Sequence, residues 1–229
     1  MGDSIKIMQS HNMIREHSIG LISLFYAHHF PVGERCAVAE PCSDAMLSLC
    51  SLILSQLKLY SVSEIIDIIK TNFNEFDIKP SDIPQFSSFD DAIFRVPYLT
   101  LASGLSDIGF SQMGFMLLNS PKKEGAYMKY GENHAKTAAQ LGLCSVQKGK
   151  INPSYLGVLF TRLSKEEQNL ITPKLLLYAP LVQNFFALDM RNDLMDEYFS
   201  TLSDSTRKRR WSNVKTLINI VGKSVGYEL

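Results

Sequence analysis

Apolar positions along this chain recur mostly with a helical period, and the breaks between periodic runs fall at proline, glycine or serine-rich stretches. Ile14, Ile19, Leu21, Ile22, Leu24 and Phe25 predict a helix reaching about His28, which Pro31 and Gly33 end. Ser43-Asp44 can cap a second helix over residues 45–59. Ser61-Val62-Ser63-Glu64 has the form of a capping box ahead of Ile65, Ile66, Ile68 and Ile69, so a third helix should run to about Phe73. Residues 74–89, with Pro80, Pro84 and several serines, read as a connector, and 92–102 as a mixed segment interrupted by Pro97.

A compact series follows. Phe110–Leu118 predicts a short helix, 121–130 a second with Pro121 in its first turn, and 132–143 a third beyond Gly131. Cys144-Ser145-Val146, a Gln147-Lys148-Gly149 turn and Lys150-Ile151-Asn152 have the composition of a two-stranded wing. In the third helix Ala135, Ala138, Ala139 and Leu141 make a small-residue packing face. Asn133, His134, Lys136, Thr137 and Gln140 are left facing outward, side chains suited to phosphates and base edges. Residues 156–163 and 165–172 predict a helix pair, and Pro173 opens another helix over 174–187.

The last segment repeats the theme. A short amphipathic helix over 194–202 leads through a tight Ser203-Asp204 turn into a helix stopped at Gly222. Val214, Leu217, Ile218 and Val221 recur at i, i+3, i+4 and i+7, so the C-terminal half anchors this helix. Its leading turns carry Ser205, Thr206, Arg207, Lys208, Arg209 and Arg210, followed by Lys215, with no acid after Asp204. A buried rear half and an arginine-rich front is the layout of a recognition helix, whose guanidinium groups grip phosphates or read guanine edges. Tyr227-Glu228-Leu229 could begin a wing strand.

The predicted fold is therefore mainly α with small β-hairpin wings: a helical N-terminal region over 1–90 and tandem winged helix-turn-helix units. The first unit spans 91–163; a helical linker and the second occupy 164–229. A net charge of zero would argue against a nucleic-acid binder, but its distribution changes that. Residues 1–91 hold 6 Lys+Arg against 12 Asp+Glu, whereas 92–229 hold 17 against 11. The basic half is expected to meet double-stranded DNA through Asn133, His134, Lys136 and Thr137, Lys148 and Lys150 on the wing, and the basic run of the last helix. The acidic half would be repelled by phosphates and is expected to bind protein. Its helices look apolar most of the way round, Leu47, Leu49, Leu52, Ile53, Leu54 and Leu57 nearly encircling theirs. A homodimer or another protein partner would cover 1–90; the alternative is that the helices over 156–187 fold back onto it.

Two pieces carry a resemblance. The segment 129–143, running Lys-Tyr-Gly-Glu-Asn-His-Ala-Lys-Thr-Ala-Ala-Gln-Leu-Gly-Leu and followed by Leu156-Gly157-Val158-Leu159-Phe160, resembles winged-helix modules of prokaryotic restriction and defence-associated proteins. So does Ser205-Thr206 with Arg209-Arg210 and Val214-Lys215. The resemblance implies double-stranded DNA binding by tandem winged helices, as the DNA-reading part of a larger system. The chain departs from the pattern by stopping just after the second recognition helix.

Other chemistry finds little footing. His28, His29, Cys36 and Cys42 do not have the close Cys pairs of structural zinc sites, so no metal is expected. Asp90-Asp91, Asp189, Asp193 and Asp196-Glu197 could serve a metal-dependent nuclease, but none sits in a strand–acid–x–Lys context. Gly104, Gly109 and Gly114 are scattered and form no phosphate loop, and no cofactor is expected. With no long apolar span, signal peptide or disulfide framework, the expected setting is the cytoplasm, with free thiols and no membrane. The order of readings is a non-catalytic DNA-binding protein, then a nuclease or nuclease subunit of a restriction system, then an interaction scaffold that does not bind DNA.

Overall fold

Local signals set the first helices. The computed structural model describes residues 15–36, 43–104, 107–191 and 193–229. Ile14 and Cys42 lie outside them. Helix α1 covers 15–26, burying Ile22, Phe25 and Tyr26, and stops before His28, which takes a left-handed backbone. Helix α2, Ser43–Leu59, buries Cys50, Ile53, Leu54 and Leu57 along one stripe and leaves Leu52 and Leu59 exposed. Helix α3, Val62–Thr71, starts at the expected capping box: Glu64 N–H donates to Ser61 Oγ at 3.2 Å, and Ser61 N–H to Glu64 Oε2 at 2.8 Å.

What covers these helices belongs to the same chain. Helices α7 (Tyr155–Phe160) and α8 (Lys165–Leu176) pack on α2, and α9 (Pro180–Ala187) packs on α3. The buried Lys174 donates to the Leu57 carbonyl at 2.6 Å, satisfying one of the orphan carbonyls in the last turn of α2. The buried faces of α2 and α3 are thus met by the C-terminal helices folding back, while Leu52 and Leu59 of α2 stay exposed. One buried cluster runs from Ile22 to Val221 through all three expected segments.

The connector is a strap rather than a linker. Buried Asn184 brackets Phe76, accepting from its N–H at 3.0 Å and donating to its carbonyl at 2.8 Å. A 3-10 turn follows at Pro80–Asp82. From there the chain enters a π-helical turn, Asp91–Arg95, that continues into α4, Val96–Ala102. Pro97 therefore does not interrupt the segment: a wide turn just before it accommodates the missing N–H and the ring.

Strand β1 (Ile108–Gly109), helix α5 (Phe110–Leu118) and helix α6 (Glu124–Gln140) come next. The two helices expected on either side of Gly131 are one, and Gly131 lies inside it. Its role is close packing. A Cβ on Gly131 would lie 2.0 Å from the Phe110 carbonyl, and one on Gly114 would lie 1.9 Å from the Tyr127 carbonyl, so the α5 and α6 backbones cross in contact. Strands β2 (Ser145–Gln147) and β3 (Lys150–Asn152) form the expected hairpin, pairing Gln147 with Lys150 and Val146 with Ile151. Lys148 and Gly149 both have positive φ, 49° and 76°, as a two-residue type I′ turn requires. Ile108 pairs with Ile151, adding a third strand that the hydrophobic pattern did not predict and giving an antiparallel sheet of order β1-β3-β2.

The end of the chain departs in detail from the expected elements. Pro173 lies within α8, and it is Pro180, preceded by extended Ala179, that opens the next helix. Helix α10 is short, Asp193–Tyr198, and α11 runs Asp204–Gly222. Val214, Leu217, Ile218 and Val221 are all buried, so α11 is anchored by its C-terminal half as expected. Gly222 is itself right-handed; the left-handed stop is Gly226, after a 3-10 turn at Lys223–Val225. Residues Tyr227, Glu228 and Leu229 form no strand. The described chain is mostly helical with one small antiparallel sheet, and no single helix in it is long and apolar enough to cross a membrane.

Candidate nucleic-acid interface

The expected contact residues of α6 divide sharply. His134 is 1% exposed and Thr137 2%, correcting the expectation that both face outward. The strap covers them. His134 Nδ1–H donates to the Tyr130 carbonyl at 2.7 Å, which leaves Nε2 as an acceptor for the N–H groups of Ser87 and Ser88 at 3.3 and 3.2 Å. The imidazole stacks on Tyr130 at 4.0 Å, and burial holds its pKa below the usual value. Thr137 donates to the Asn133 carbonyl at 3.0 Å. Tyr130 in turn donates to Asp91, which pairs with Arg95. Arg95 also donates to the Leu117 and Met116 carbonyls at the end of α5, so this polar network positions the two helices.

Lys136 is exposed, but pairs with Glu132 at 2.7 Å, and Lys129 pairs with the same carboxylate at 3.3 Å. One carboxylate thus serves both lysines, which leaves this stretch of α6 with a single net positive charge. Asn133 is half-buried. Lys148 and Lys150 stand exposed at the hairpin, and Lys122 and Lys123 stand exposed just ahead of α6; none of these four is in an ion pair among the described residues. Two adjacent lysines ahead of a helix, Lys122 and Lys123, are a signal visible in the sequence itself.

Helix α11 divides by the same logic. Arg207 pairs with Asp196 on α10. Arg210 is half-buried and donates to the Pro80 carbonyl on the strap; burial, then the neighbouring Arg209 charge, lower its pKa. Both arginines thus have partners within the fold, unlike the rest of the expected basic run. Thr206 is half-buried, with Ser203 Oγ 3.0 Å from its hydroxyl. What remains exposed is a stripe: Ser205, Lys208, Arg209, Ser212, Lys215 and, just beyond the helix, Lys223. The four cations of this stripe have no ion-pair partner among the described residues.

The strap ties the two helices together. Gln140, at the end of α6, donates to the Asp82 carbonyl at 3.0 Å, two residues from the Pro80 carbonyl that Arg210 holds. One 3-10 turn thus fixes the C-terminal end of α6 beside the front half of α11.

No protein-family model, curated protein or solved structure matches the chain. Its own side chains are what bear on function.

Burial pushes the Cys50 thiol up to about 12, and fully buried Cys144, whose Sγ donates to the Ala135 carbonyl, is also raised. His28 is stacked on Tyr178 at 4.0 Å, and burial lowers its pKa. Among the described residues no three His, Cys, Asp or Glu side chains converge as metal ligands. The arrangement offers unpaired ammonium and guanidinium groups on a rigid helix, which is a means of holding phosphates.

Proposed function

We propose that this protein binds double-stranded DNA, with the exposed face of α11 as the principal contact. One observation carries the reading: Lys208, Arg209 and Lys215 line one solvent face of a helix whose other face is buried, with no acid between them and no ion pair on any of them among the described residues. Cations left unpaired on a fixed scaffold release counterions when they meet phosphates, at little cost in ordering.

Residues 91–163 act, in this proposal, as a winged helix-turn-helix unit. The order α4, β1, α5, α6 and hairpin, with the sheet order β1-β3-β2, supports it. With Lys129 and Lys136 both held by Glu132, the unit contributes through Lys122 and Lys123 just ahead of α6, and the wing through Lys148 and Lys150. Helices α10 and α11 form the second helix-turn-helix, without a wing strand. A place as the DNA-reading part of a prokaryotic restriction or defence system rests on the resemblance of 129–143 and of the α11 segment alone.

A mobility-shift series on duplex DNA across salt concentrations tests this. Replacing Lys208, Arg209 and Lys215 together by Ala should flatten the plot of log affinity against log salt by about 0.9 for each phosphate that is no longer neutralised. Wild-type protein that fails to bind duplex DNA even at low salt, or a triple variant with an unchanged salt slope, refutes the proposal.

A further inference from the structure

A cavity of about 480 Å3 opens between α10 and the leading turns of α11. Its size falls within the range of small-molecule sites, roughly 300–1,000 Å3. The floor is apolar. Met195 and Phe199 are almost wholly buried, Trp211 meets Phe199 edge-on at 5.9 Å, and Leu229 lines one end. The rim carries both signs of charge: Asp196 and Asp204, Arg207 and Lys208.

These rim charges are unequally engaged. Arg207 pairs with Asp196. Asp204 and Lys208 lie one helical turn apart on α11, and neither is in an ion pair among the described residues. A purely anionic ligand would meet two cations but also two carboxylates, and a purely cationic one the reverse. A compact zwitterion matches both signs at once, provided its body is apolar enough for the floor.

We propose that this cavity binds a free amino acid with an apolar side chain. Its ammonium is held at Asp204, its carboxylate at Lys208, and its side chain rests against Trp211. The site shares Lys208 with the DNA-contact face of α11, so the two readings are separated by testing amino-acid binding without DNA.

Trp211 is the only tryptophan in the chain, so its emission reports on the cavity directly. Titrating the full chain, without DNA, with L-phenylalanine and L-leucine should give a saturable change in that emission at millimolar concentrations or below. L-phenylalanine amide, which lacks the carboxylate, and 3-phenylpropionate, which lacks the ammonium, should each bind at least about tenfold more weakly, the loss expected for one charge-assisted contact. Lys208→Ala should weaken L-phenylalanine binding to a similar degree at an unchanged thermal midpoint, and Lys208→Arg should restore it. The absence of a saturable change with either amino acid overturns the proposal. So does either truncated analogue binding within about tenfold of the amino acid. Because no DNA is present, this result and the salt-slope result can each fail without the other.

Discussion

Gly131→Ala is the substitution on which a local view and the tertiary structure disagree about sign. Gly131 sits in the interior of a 17-residue helix, where Ala is preferred by about 1 kcal/mol on propensity alone. The added methyl, however, would lie 2.0 Å from the Phe110 carbonyl oxygen and 2.7 Å from the Gly114 nitrogen. Both obstacles are backbone, so no rotamer change relieves them. Helix α5 would have to retreat by at least about 1 Å, loosening the reciprocal contact of Gly114 with Tyr127 and the Arg95 hydrogen bonds to the end of α5. Overpacking of this kind costs about 1–3 kcal/mol and occasionally more. Because backbone has to move, the upper part of that range should outweigh the propensity gain, leaving a net loss of about 1–2 kcal/mol. Gly125 supplies the control. It lies in the same helix, right-handed, with nothing within 4 Å of its would-be Cβ, so Gly125→Ala should stabilise by about 0.4–1 kcal/mol. Urea denaturation of the two variants against wild type measures both. A Gly131→Ala protein at least as stable as wild type would refute the close crossing of α5 and α6, and Gly125→Ala costing as much as Gly131→Ala would show that the effect does not arise from packing.

Two further outcomes follow from buried polar groups. His134 is held neutral by burial, with Nε2 accepting from Ser87 and Ser88, so its folded pKa lies below the value of about 6.5 expected when unfolded. Its contribution to stability is complete above that unfolded value and is lost as pH falls through the folded pKa; His28, also lowered by burial, acts in the same direction. The thermal midpoint should therefore fall on acidification from about pH 7 to pH 5, and His134→Gln should reduce that dependence; an unaltered pH profile in the variant would contradict it. Asn184→Ala removes both bonds to Phe76 and the bond to the Tyr198 hydroxyl, leaving the strap backbone unpartnered, and should cost about 2–4 kcal/mol by urea denaturation. A loss under about 0.5 kcal/mol would mean that the strap is not held there.

Features decided within a few residues were legible in the sequence alone. The Ser61–Glu64 box, the hairpin around Lys148-Gly149 and the anchored rear half of α11 each depend on hydrogen bonds or side-chain spacing inside one element. The predominance of helix followed from the same periodicity. Distant contacts decided the rest. Glycine inside a periodic run looks like a break when judged by propensity, yet Gly131 continues α6 because α5 crosses there. His134 and Thr137 have the spacing of an outward face, and only the strap, nearly fifty residues earlier in the chain, makes that face internal. Arg207 and Arg210 are chemically indistinguishable from Arg209 along the sequence. Asp196 and the Pro80 carbonyl engage the first two and leave the third in solvent. A basic run reports how much charge is present, but the number of those charges free to meet a phosphate depends on acceptors that other segments bring to them, and these meet the run only when the chain has folded.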